Sequence, residues 1–229
     1  MANPQAPQKT DHRVEVAARK RALMRARLLD ATLQVFAHAG GTVPGIDDVV
    51  HAAQVSRGTF YLHFRTVDEA LQALSQAQSD QMTQGTLAVY DLLQEPWQRF
   101  SVGFRLFLMR AHLDPLWASF VTRSVAASDQ LLVTALMRED LRRGRELGQF
   151  RFNDLRVALD FMMSASIAGI RALGQGVPDP ESHMDDSLCM ALAGLGCTPA
   201  LGERGVEFSR SYLAGWKVKA PGEEGPAFA

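Results

Sequence analysis

Apolar residues along this chain recur at helical spacing, and no stretch alternates in the two-residue rhythm of a strand. The clearest pattern lies in residues 45–71. Ile46, Val49, Val50 and Ala53 mark the buried stripe of a short helix opened by Pro44-Gly45. Val55 then falls in a turn, and Ser56 is placed to cap a second short helix over 56–62. Phe60 and Phe64 share one face there at i,i+4, whereas Arg57, Thr59, Tyr61 and His63 point largely away from it. Two short helices, a tight turn and a polar outer face describe a helix-turn-helix.

The same rhythm extends in both directions. Upstream, Leu28, Leu29, Thr32, Leu33 and Phe36 predict a helix over about 19–38, ended by Gly40-Gly41. Downstream, Thr66-Val67-Asp68-Glu69 has the spacing of a capping box and predicts a long helix reaching about Gln94, with a weak point at Gly85. Glu95-Pro96, Asp114-Pro115, Ser128-Asp129, Asn153-Asp154, Asp179-Pro180 and Thr198-Pro199 each punctuate a further helix start. The predicted spans are about 97–112, 115–125, 129–147, 155–174, 183–195 and 199–216. The sequence therefore predicts an all-α chain of nine or ten helices. A flexible arm (1–18) precedes a three-helix bundle with the helix-turn-helix (19–66), a larger helical domain (67–219) and a disordered tail (220–229).

The formal charge of −1 at first argues against a polyanionic partner. Its distribution argues for one. Residues 1–65 hold nine Lys/Arg against five acids, or +4; the remainder holds 15 against 20, or −5. Arg13, Arg19, Lys20, Arg21, Arg25 and Arg27 cluster beside the helix-turn-helix, where they either track phosphates or form a solvated basic face. No run of 18 uncharged apolar residues exists, so no membrane span is expected. Cys189 and Cys197 are the only cysteines, and the six histidines are scattered without ligand spacing, so no metal or cofactor is expected. A cytoplasmic, reducing location is the simplest expectation.

Val55-Ser56-Arg57-Gly58-Thr59-Phe60-Tyr61-Leu62-His63-Phe64, with Asp68-Glu69-Ala70-Leu71 following, resembles the signature of the TetR family of transcriptional regulators. The motif-rich likeness covers about residues 20–72. Two positions depart from the family pattern: Gln54 replaces the usual turn glycine, and Val67 stands where a lysine is usual. A Gln at positive φ is strained by roughly 1 kcal/mol, so a locally different turn is expected. The resemblance implies double-stranded DNA with a pseudo-palindromic operator as partner. The implied contacts are Gly45, Ser56, Arg57, Gly58, Thr59, Tyr61 and His63, joined by Arg27 from the preceding helix. Tyr61 and His63 are implied to hold phosphates, while Arg57 reaches either a guanine edge or a phosphate.

It also implies a homodimer and a small-molecule effector bound by the C-terminal domain. Phe104, Phe107, Trp117, Phe120, Phe161 and Met162 could line an apolar cavity, or could simply be core. Arg105 and Ser166 are candidate polar groups for orienting a hydrophobic effector. The helix over 155–174 has a small-residue surface including Ala165 and Gly169, and the last helix carries the stripe Phe208, Tyr212 and Trp216. These surfaces fit either a two-fold four-helix contact or intrachain packing. No Gly-rich phosphate loop, His-Glu-x-x-His or Gly-x-Ser-x-Gly occurs, so an enzyme is not expected. The expectation is a ligand-responsive, homodimeric DNA-binding repressor. The alternative is an apolar-ligand carrier on the same scaffold that binds no DNA.

Overall fold

The computed structural model describes residues 9–39, 44–90, 92–124 and 132–215, and all their regular structure is helical. Ten helices follow in order: α1 (Lys9–His38), α2 (Ile46–Ala53), α3 (Arg57–Tyr61), α4 (Val67–Tyr90), α5 (Pro96–Leu113), α6 (Pro115–Ser124), α7 (Leu132–Glu146), α8 (Leu155–Gln175), α9 (Pro180–Gly194) and α10 (Pro199–Ala214). The caps follow the punctuation. Ser56, Asp154, Asp179 and Thr198 each accept a backbone N–H from the residue three positions on, and Pro96, Pro180 and Pro199 occupy first-turn positions where no N–H is needed.

Three expectations are corrected. α1 begins at Lys9, so residues 9–18 are helical rather than part of an arm. Val14 and Val16 are exposed there; a helix with no buried stripe gives periodicity nothing to show. At the start of α4, Thr66 Oγ1 accepts Glu69 N–H (3.1 Å), but the Glu69 carboxylate returns to Arg65 N (2.7 Å), one residue earlier than a capping box requires. The division of the chain also falls later than residue 66. One compact unit runs to Leu74 and a second starts at Ser75, inside α4, because Ala70 and Leu74 are themselves buried. The expected cap at Ser128-Asp129, Trp216 and the tail lie outside the described residues.

In the first unit α1 packs on α2 and α2 on α3. Leu28, Leu29, Val49, Val50, Phe60 and Phe64 form its centre, with the Phe60 and Phe64 rings 5.8 Å apart. Thr32, fully buried, donates to Leu28 O within its own helix (2.8 Å), so its hydroxyl is satisfied without a tertiary partner.

The second unit is organised around α5, which packs on α6, α7, α8, α9 and α10. Twelve of its 18 residues are buried, which is why its sequence is apolar on nearly every side. Close approach is achieved with small residues. A Cβ at Gly169 would lie 2.7 Å from Leu108 of α5, one at Gly174 2.5 Å from Ala118 Cβ of α6, and one at Gly205 2.6 Å from Leu192 of α9. α8 is long and apolar enough to cross a membrane by length and composition. It packs instead on α5, α6, α7 and α9, and it carries the exposed Arg156, Asp160 and Arg171.

Candidate functional sites

The exposed side of α2 and α3 is built by local rules. Gly45 precedes α2 in extended conformation and donates its N–H to Asp48 Oδ2 (2.8 Å). α2 ends in Gln54, at φ 53° and ψ 47°, the one non-glycine residue with positive φ among those described. The left-handed turn is therefore kept with Gln in place of glycine, against the expectation of a different local turn. Two bonds close it: Gln54 N–H to His51 O and Val55 N–H to Val50 O, both 3.0 Å. Arg27 reaches the same residue, with Nη2 3.4 Å from Gln54 Oε1. Thus Arg27 stands exposed against the turn that ends α2.

Ser56 opens α3, accepting Thr59 N–H at 3.1 Å, and its hydroxyl lies 3.0 Å from Thr59 Oγ1. Gly58 is exposed, and a Cβ there would meet only Ser56 Oγ at an ordinary 3.6 Å. Nothing inside the fold requires glycine at 58; its low profile matters only to something approaching from outside. Phe60 is buried and holds Tyr61 edge-on, with centroids 5.9 Å apart and planes at 83°. Tyr61 is 55% exposed, while His63 is half-buried. Leu62 is 83% exposed, a feature the apolar pattern conceals. Arg25 lies over the Phe64 ring at 5.2 Å, so its charge is positioned by the same aromatic core. Arg57 is engaged by Asp47 of α2, a residue the sequence did not single out. The structure thus brings Gly45, Ser56, Arg57, Gly58, Thr59, Tyr61 and His63 onto one short two-helix unit.

The residues considered for an effector separate into three environments. Phe104, Trp117, Phe120 and Met162 are buried and already packed: Phe104 stacks on Phe100 (5.7 Å), and Arg110 lies over the Trp117 ring (5.7 Å). Phe107, half-buried, sits 6.3 Å from Trp117. Ser166 is buried but donates to Met162 O of its own helix (2.9 Å), which leaves its hydroxyl committed. Phe161 is corrected: it is 60% exposed, on the outer side of α8 beside Gly194 of α9. Arg105 is 2% exposed and bridges to Asp185 (2.5 Å) and Glu181 of α9, while Arg210 of α10 also holds Asp185. Burial lowers the Arg105 pKa from its ordinary value, opposed by the Glu181 charge. These charges line a groove of about 610 Å³ with Met109 and Leu213, and a second groove of about 790 Å³ runs between α7 and α8 past Leu159, Met163 and Ile167.

Of the described residues considered for a dimer contact, Gly169 is buried, and Ala165, Phe208 and Tyr212 are half-buried and packed within the chain. Gly169 lies against Leu108, Phe208 stacks on Tyr212 (5.6 Å) and meets Trp97 edge-on (5.4 Å), and Ala165 is half-buried against the core. The small-residue surface of α8 serves helix contacts within the chain. What α8 turns outward is Val157 and Phe161 (65% and 60% exposed), and α9 adds Met190 (76%). A Cβ on Gly194 would sit 3.3 Å from the Phe161 ring, so the α8 and α9 surfaces are continuous there.

The geometry of α1–α3, an aromatic-centred trihelical unit with a polar second helix after a left-handed turn, defines a helix-turn-helix protein. Residues 28–74 match the family described as bacterial regulatory proteins, tetR family. Among curated proteins it is 30% identical over 137 residues to the HTH-type transcriptional regulator AlkX of Mycobacterium tuberculosis. That alignment covers 58% of this chain and 64% of AlkX, so the chain spans less than two thirds of that relative's length. Among solved structures it is similar to RolR in complex with resorcinol (24% identity, 84% of this chain and 95% of that one, TM-score 0.60). It is likewise similar to the fatty acid degradation regulator FadR of Bacillus halodurans (20% identity, 76% and 97%, TM-score 0.64). At these identities the two structures establish the shared fold.

Proposed function

We propose that this protein is a DNA-binding transcriptional regulator, not an enzyme, acting as a cytoplasmic homodimer on a pseudo-palindromic operator. The observation that carries it is the outer surface of α3. Tyr61 is exposed over a buried Phe60, and Gly58 is free of any internal need for glycine. The basic residues Arg19–Arg27 of α1 stand exposed in the same unit, supplying phosphate attraction to a chain whose net charge is near zero. The left-handed turn kept at Gln54 supports this reading over the DNA-free carrier.

Two such units must meet successive major grooves, about 34 Å apart. Pairing through Val157, Phe161 and Met190 would supply the dimer, because these are large apolar groups left exposed where the rest of the unit's core is closed. The finer reading is repression relieved by a small hydrophobic molecule. RolR was solved with resorcinol, which supports ligand response on this fold. Because Phe104, Trp117 and Met162 are already packed, such a molecule would enter by displacing pliable groups such as Phe107, Met162 and Met163. An effector of this kind must prefer one arrangement of the dimer over the other.

The test is selection of bound duplexes from a random library by the full chain, followed by mobility shifts on the enriched sequence. Enrichment of an inverted repeat bound at one dimer per duplex is expected. Absence of binding to any duplex, with helical circular dichroism intact, would overturn the proposal.

A further inference from the structure

Asp47 stands on α2, ten residues before Arg57 and on the exposed side of the helix-turn-helix. Its Oδ1 accepts Arg57 Nε–H at 2.6 Å, and its Oδ2 accepts from Nη2 in a second short contact. Arg57 and Asp47 side chains are 63% and 69% exposed. An exposed pair of this kind contributes little to stability, so the fold does not need it. The hydrogen bond from Arg57 also keeps the Asp47 carboxyl below its usual pKa, so the pair stays ionised through the neutral range.

The edge that Asp47 takes is informative. A guanidinium has five N–H donors in one plane, and the carboxylate uses two of them along the Nε–Nη2 side. The end-on fork, one N–H from Nη1 and the second N–H of Nη2, is left free. Two parallel donors of that kind match guanine O6 and N7 in the major groove. The ion pair also carries no net charge, which removes most of the counterion-release gain that drives a bare Arg onto a phosphate.

We propose that Asp47 is a positioning residue that locks Arg57 for guanine readout and withholds it from the phosphate backbone. The inference rests on the DNA-binding reading above and goes beyond it, because it assigns base selection to one residue and the fixing of that residue to another. It also gives a purpose to an acid on a surface otherwise suited to a polyanion.

The experiment uses the full chain, a random duplex library of about 26 base pairs and salt titrations on the enriched duplex. Wild type should enrich a guanine at one position in each half-site. Arg57→Ala made together with Asp47→Ala, which removes the neutral pair whole, should lose that preference by about 5- to 150-fold with little change in the slope of log K against log salt. Arg57→Lys, which keeps charge but lacks the fork, should lose the preference as well. Asp47→Ala and the isosteric Asp47→Asn should weaken guanine discrimination, bind non-cognate duplexes more tightly and steepen the salt slope by up to about 0.9, as the freed Arg57 takes a phosphate. Equal weakening on every duplex by the double variant, with the slope falling by about 0.9, would make Arg57 a phosphate contact and overturn the inference while leaving DNA binding intact. Unchanged base preference in both Asp47 variants, with circular dichroism unaltered, would overturn it too. Failure of wild type to bind any duplex would overturn the DNA-binding reading, and the inference with it.

Discussion

The two compact units spend similar residues in opposite ways. In the first, polar side chains at 27, 56, 57, 61 and 63 stand at the surface or at its edge, held by short-range caps and aromatic neighbours, and the buried set is almost wholly apolar. In the second, Arg105, Arg110, Asp114 and Asp140 are buried, while Val157, Phe161 and Met190 are exposed. Each buried charge there has a partner: Arg105 with Asp185, Arg110 with Asp114 at 2.8 Å, and Asp140 with Arg99 at 2.6 Å. Burial still dominates at Asp140, raising its pKa despite Arg99. Exposed polar groups in the first unit can be met by water or by neighbours in the same two helices, whereas a helix surrounded by five others must find partners for every charge it buries.

The sharpest way to break this comparison is Gly169→Arg. If α8 is held to α5 by that glycine, the substitution places a charge on Leu108 and should cost at least about 3 kcal/mol in urea unfolding. A folded, merely monomeric variant would return Gly169 to a partner surface. In the first unit the opposite is expected. Tyr61→Ala and His63→Ala should each weaken binding to the enriched duplex by about 1–3 kcal/mol while moving stability by less than about 0.5 kcal/mol. Should Tyr61→Ala unfold the protein with no separate loss of affinity, its exposed ring would be structural after all.

Phe161→Ala is a milder probe of the second unit's outer side. Sedimentation should show dimer affinity reduced by about 1–2 kcal/mol, with urea stability of the monomer unit near wild type. An unchanged dimer would move the pairing surface elsewhere. The smallest expected effect is Gln54→Gly. Relief of left-handed strain, roughly 1 kcal/mol, is partly offset by the greater backbone freedom of glycine in the unfolded chain, leaving a net gain of about 0.5 kcal/mol. A loss of stability would show that the Arg27 contact to Gln54 outweighs the strain.

The sequence by itself determined the class, the helix count and most helix starts. Those depend on neighbours within four residues: Ser56 capping Thr59, Pro at the first turn after Glu95, Asp179 and Thr198, and Phe60 with Phe64 on one face. It also indicated which residues of α3 turn outward, because exposure on a short helix is constrained largely by that helix. Tertiary structure decided the rest. Only the fold could show that Gly169 faces Leu108, that Phe208 belongs to Trp97 and that Phe161 is outside, since a stripe of small or aromatic residues fits a neighbouring helix and a second subunit equally well. Only the fold could pair Asp47 with Arg57 across ten residues and a turn, because an ion pair leaves no periodicity in the chain that forms it.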